Sequence, residues 1–173
     1  NFTKIVPVYN RPEDRNIDFL SKIYSDHELM GDLIQTLTND VLLKSDVISG
    51  KKILLKPNWV KHSFKQDDEL CLRTNNNFII TILKLLLKYG PAKVVIGDAP
   101  IQGCHWNQML DESFYKNIEL LSNESCVPIK IMDFRRVTFD PLLNNPQKEL
   151  HPISEYIIID TGPESWLEPI SYE

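Results

Sequence analysis

The chain has 173 residues, 42% apolar and 25% charged, with a net charge of −5. That is chain enough to bury one hydrophobic core, in the balance usual for a globular protein. No lysine–arginine stripe offers itself to nucleic acid, and the longest apolar stretch, 78–87, is too short to cross a bilayer and is broken by Lys84.

In chain order, residues 3–8 read as a short edge strand, since Pro7 cannot donate to a central ladder. A polar loop, "NRPEDRN", comes next. Between 28 and 44, Leu29, Met30, Leu33, Ile34, Leu37, Val41 and Leu42 fall on one helical face. A turn at Ser49-Gly50 leads into a strand over 52–55. The next helix spans 77–89, capped by Thr74 or Asn75 and ended by Gly90 and Pro91. It is apolar on most faces except at Lys84 and Lys88, which predicts deep burial.

Residues 93–97 are a buried strand. A weaker helix carries Trp106, Met109, Leu110, Phe114, Ile118 and Leu121, and a strand covers 127–132. The stretch 134–155 holds Pro141, Pro146 and Pro152 without a period and reads as a long functional loop. A last apolar strand is expected over 156–159. The strands are short continuous apolar runs, as in parallel sheets covered on both faces. The expected architecture is therefore a single α/β domain over 1–173: an open, mostly parallel sheet with helices on both faces, in a Rossmann-like three-layer arrangement. The start at Asn1 and the absence of a stop in the last residues point to a longer natural chain.

The polar residues gather after the strands. Lys56-Pro57-Asn58 succeeds the first, Asp98-Ala99-Pro100 the second, Asp133 with Arg135 and Arg136 the third, and Asp160-Thr161-Gly162 the fourth. In a parallel sheet these carboxyl ends share one edge, where open α/β sheets bind ligands. Arg73, Thr74 and Asn75 return to that edge at a helix start, whose free N–H groups suit an anion. Each residue also has a plainer role. Lys56 as a snorkelling side chain, Asp98 as a turn former and Arg135 as a surface residue would need no ligand. Cys71, Cys104 and Cys126 have neither disulfide nor zinc spacing. No dinucleotide fingerprint, P-loop or nucleophile elbow is present.

The run "KKILLKPNWV" and, after it, "LRTNNNFIITILKLLLKYGPAKVVIGDAPIQGC" resemble the bacterial and archaeal family called domain of unknown function 362. The matching residues are Lys56, Pro57, Asn58, Thr74, Gly97, Asp98, Ala99 and Pro100, and the resemblance covers 51–104. Asn76 stands where the family pattern has proline, and the ferredoxin-like cysteines of some relatives have no counterpart. The "DAPIQGC" variant is similar to a branch associated with surface-polysaccharide gene neighbourhoods.

The leading expectation is an enzyme-type site at the strand carboxyl edge for a small anion, either a phosphorylated sugar or a carboxylate. Lys56 would supply the cation and Asp98 a general base or a divalent-metal ligand, with Asn58, Arg73, Thr74, Asn75 and Arg135 holding the ligand. The rival is a non-catalytic binding or assembly module, in which Lys56 and Asp98 pair across adjacent strand ends. A third reading is a metal-dependent redox protein built on Cys104 and His105. Cofactor, metal and oligomeric state are left open; the expected compartment is the cytoplasm, without a membrane or nucleic-acid partner.

Overall fold

A computed structural model describes residues 17–38, 44–62, 72–139, 147–157 and 159. The expected edge strand over 3–8, the loop after it and Asp160 lie outside the described residues. Contacts divide the chain into two compact units, Asn1–Phe134 and Arg135–Glu173.

Among the described residues of the first unit, α1 (Ile17–Ser25), α2 (His27–Thr38) and the short α3 (Ser45–Ile48) come first. The helix expected over 28–44 is α2, and its predicted far end is corrected: Lys44 is extended, at φ −121° and ψ 145°, and leads into α3. Strand β1 (Lys52–Leu55) precedes the long helix α4 (Asn76–Leu87). Asn75 is its N-cap, its side chain accepting the Asn77 N–H. Beyond its end Gly90 takes φ +61°, the left-handed conformation a glycine adopts without strain.

Helix α4 is apolar on most faces because it packs two ways. Ile79, Ile80 and Leu83 join Val94, Ile96, Met109, Phe114 and Ile118 in one core cluster. Leu85 and Leu86 join Met30, Ile34 and Ile48 in another.

After β2 (Lys93–Asp98), the single helix expected from Trp106 is two, α5 (Trp106–Met109) and α6 (Glu112–Ser125). The break falls at Leu110-Asp111 because Asp111 caps the second helix. Its Oδ1 accepts the Phe114 N–H at 2.7 Å and the Ser113 hydroxyl at 2.8 Å. Strand β3 (Ile129–Asp133) comes after α6.

The three strands form a parallel sheet in the order β1-β2-β3, so this unit is α/β. The register aligns Ile53, Val94 and Ile129 in one row and Leu55, Ile96 and Ile131 in another, all on the face that meets the helices. Right-handed crossovers that step each time in one direction place both connecting helices on the same face. The expected cover on both faces is therefore met, among the described helices, on one. The opposite face presents Lys52 beside Lys93 and Leu54 beside Val95 and Lys130.

In the second unit, β4 (Val137–Phe139) pairs antiparallel with β5 (Gln147–Glu149), and a 3-10 turn spans Ile153–Glu155. The expected unstructured stretch 134–155 is corrected accordingly. An Arg136–Glu149 ion pair at 3.2 Å bridges the hairpin. Tyr156, Ile157 and Ile159 are in no strand, and Ile157 (89%) and Ile159 (75%) are exposed. The buried strand expected there is not formed by the described residues.

Candidate functional site at the strand carboxyl edge

Lys56 directly succeeds β1 and Asp98 is the last residue of β2, the neighbouring parallel strand. The register aligns Leu55 with Ile96, so the two strand ends deliver the pair to one place. The Lys56 ammonium stands 3.1 Å from Asp98 Oδ1 and 3.2 Å from Oδ2. Asp98 is 5% exposed, whereas the lysine side chain is 61% exposed.

Two backbone amides complete the carboxylate's shell: Trp59 N–H donates to Oδ2 at 2.8 Å and Ala99 N–H to Oδ1 at 2.8 Å. A buried carboxylate needs such donors, because without them its desolvation would be prohibitive. Asp98 thus holds the turn after β1 to the end of β2. Asp133 is its register partner on β3.

The turn after β1 is also fastened to the start of α4. Asn58 N–H donates to Thr74 Oγ1 at 3.1 Å, Thr74 N–H returns to Asn58 O at 3.2 Å, and Val60 N–H reaches Leu72 O at 3.0 Å. Thr74 is therefore a clasp and Asn75 the cap. Asn58 takes part through its backbone, its residue being exposed. Arg73 forms an antiparallel bridge with Trp59 and donates to the Met109 carbonyl.

Two recesses flank Thr74. One, of 130 Å³, is lined by Leu55, Lys56, Pro57, Thr74, Phe78, Ile79 and Ile82, and is apolar apart from the lysine and the threonine. The other, of 190 Å³, is polar and is lined by Arg73, Asn75, Asn76, Asn77 and Asp111. It lies at the first turns of α4 and α6. Asn76 Oδ1 is buried without a protein hydrogen-bond partner, as is Trp59 Nε1.

The edge thus brings together Lys56, Asp98, Asn58 and Thr74, with Arg73 and Asn75 around the neighbouring recess. Arg135 belongs to the second compact unit and is buried. Nothing in its side chain singles out Trp59 from sequence, yet its backbone amide is central. No residue-type signal reveals which amide will meet a carboxylate.

A further cluster closes the same loops. His62 N–H donates to Cys104 Sγ at 3.3 Å, and His105 N–H donates to His62 Nδ1 at 3.0 Å. The two imidazoles stand 5.1 Å apart. Burial holds the His62 pKa below 6.5, and His105 and Lys61 add to the depression. Among the described residues no group of three or more His, Cys, Asp or Glu side chains is arranged to hold a metal ion.

In comparisons with known proteins, no family model, no curated protein and no solved structure matched the chain.

Proposed function

We propose that the strand carboxyl edge binds a small carboxylate with a short apolar portion, Lys56 meeting the anion and the 130 Å³ recess receiving the apolar part. The observation that carries this reading is the asymmetry of the ion pair. A buried Asp98 pins the ammonium of a lysine whose side chain remains 61% exposed and lines an apolar recess. Size favours the carboxylate over a phosphorylated sugar: ligand pockets for larger molecules run to about 300–1,000 Å³, against 130 Å³ here. Asp98, with both oxygens engaged, serves as the anchor of Lys56 in preference to acting as base or metal ligand.

The resemblance over 51–104 to the family called domain of unknown function 362 belongs to this reading. So do a cytoplasmic setting and a Rossmann-like three-layer arrangement. Among the described residues no helix is long and apolar enough to cross a membrane.

One observation favours the rival assembly module: four donor contacts saturate the Asp98 carboxylate, as a purely structural lock requires. Thermal unfolding against short-chain carboxylates, sugar phosphates and divalent cations decides between them. A ligand at about 100 times its Kd adds roughly 2.7 kcal/mol, or about 5–11 °C for a domain of this size. A carboxylate-induced shift that disappears in Lys56→Met supports the site. No shift with any compound, together with a lowered midpoint in Lys56→Met, supports the lock.

A further inference from the structure

Parallel sheets occur almost entirely with both faces covered, because hydrophobic strands joined by crossover helices leave neither face suited to water. Here β1, β2 and β3 carry their core rows on one face, and the described helices pack there. On the other face Leu54 is 61% exposed, next to the half-buried Val95. Around them stand Lys52, Lys93 and Lys130, the first two directly opposite each other and the third opposite Val95.

None of these lysines has an acidic partner among the described residues. Lysines on an edge strand guard against strand addition, but Lys93 is on the central strand and has no edge to guard. Three like charges around an apolar strip, on a chain whose net charge is −5, form a local field that selects its partner by sign.

We infer that this open sheet face docks an acidic amphipathic helix of a partner polypeptide. Its apolar stripe covers Leu54 and Val95, and its carboxylates meet Lys52, Lys93 and Lys130. A second copy of this chain is a poor occupant, since a two-fold contact through this face would set lysines against lysines. The described elements after β3 are a hairpin and a 3-10 turn, neither of them a crossover helix. The inference is independent of the anion reading, which concerns the carboxyl edge of the sheet and not this face.

The test titrates the 15N-labelled 173-residue chain with a synthetic helical peptide, monitored by amide shifts. The peptide has leucines at i, i+3, i+4 and i+7 and glutamates flanking them. Saturable binding is expected, with shifts on 52–54, 93–95 and 130. The double charge reversal Lys52→Glu, Lys130→Glu should weaken it by about tenfold or more, and a peptide with lysines in place of the glutamates should not bind. Both mutated residues are exposed, so the fold tolerates the change. No saturation up to about 1 mM peptide, shifts confined elsewhere, or affinity unchanged by the reversal overturns the inference. So does co-sedimentation with phosphatidylglycerol vesicles, but not with the peptide, in a lysine-dependent way, which would make the face a membrane reader. A dimer in sedimentation that the reversal abolishes, or a lengthened chain that refuses a peptide the 173-residue chain accepts, overturns it as well.

Discussion

The amide of Trp59 donates to Asp98 Oδ2 at 2.8 Å, joining the turn after one strand to the end of its neighbour across 39 residues of sequence. This bond is buried, whereas the lysine that shares the carboxylate has a side chain 61% exposed and makes a part-buried bond. The two contacts to Asp98 therefore differ in weight, and the difference can be measured.

Asp98→Ala removes the charged acceptor shared by the Trp59 and Ala99 amides, leaving the Trp59 N–H only its 3.0 Å contact with the Pro57 carbonyl, and should cost roughly 1.5–3 kcal/mol, the net value of hydrogen bonding to a charged group. Lys56→Met leaves Asp98 its two backbone donors and removes a mostly exposed partner, so its cost should stay below about 1 kcal/mol. Urea unfolding of the two variants gives the comparison. Equal losses would mean that the lysine, not the backbone amides, carries the junction.

Gly97→Ala tests how tightly β2 packs against the end of β3 and Phe134. An added Cβ would stand 2.5 Å from the Met132 carbonyl oxygen and 2.5 Å from Phe134 Cζ. The carbonyl belongs to a paired strand and cannot step aside, so overpacking should cost roughly 1–3 kcal/mol. A variant as stable as the parent would show that the strand end has room to relax.

Thr74→Val keeps the shape of the side chain and removes the acceptor for the Asn58 N–H. The expected loss is about 0.5–1.5 kcal/mol, the net value of one hydrogen bond. Asn75→Ala removes the α4 cap and should cost about 1 kcal/mol. Because Asn75 lines the polar recess and not the apolar one, carboxylate binding at Lys56 should survive Asn75→Ala and weaken in Thr74→Val. Thermal-shift titration of both variants separates the two recesses.

Protonation of His62 sets a pH dependence. Its Nδ1 accepts the His105 N–H at 3.0 Å, which an imidazolium cannot do. With its folded pKa held below 6.5 by burial, His105 and Lys61, the contribution is fully present above pH 6.5 and is lost as pH falls through the folded value. Stability should therefore decline from pH 7.5 towards pH 5. His62→Asn, whose side-chain oxygen replaces the acceptor without titrating, should flatten that decline. An NMR titration placing the His62 midpoint at or above 6.5 would refute the assignment.

Much of the order of elements is legible in the sequence. The strand over 52–55, the buried strand that begins at Lys93, and the capped helix closed by Gly90 and Pro91 are local patterns, and each appears within a residue or two of its expected bounds. The apolar period from Trp106 runs on through Leu110 and so predicts one helix where the structure has two. The cap at Asp111 interrupts it, and a lone aspartate inside a periodic stretch is ambiguous from sequence. The hairpin of β4 and β5 escapes sequence reading because its strands are only three residues each, too short for a period to show. At the site, the meeting of Lys56 and Asp98 is a consequence of placing both at parallel strand ends. The roles of the Trp59 and Ala99 amides are not, since every residue but proline carries such a donor.

By itself the amino-acid order determined the alternation of strand and helix, the helix stops and the supply of charged residues to the strand ends, because these depend on propensities and spacings within a few residues. Only the tertiary structure decided which oxygen of Asp98 meets which donor, how little room lies beside Lys56, and that both crossover helices settle on one face of the sheet. Those outcomes depend on strand order and register, which join residues some forty positions apart in sequence. Nothing in the local pattern of Lys52, Leu54, Lys93 and Lys130 tells that they share an open face until the strands are laid side by side.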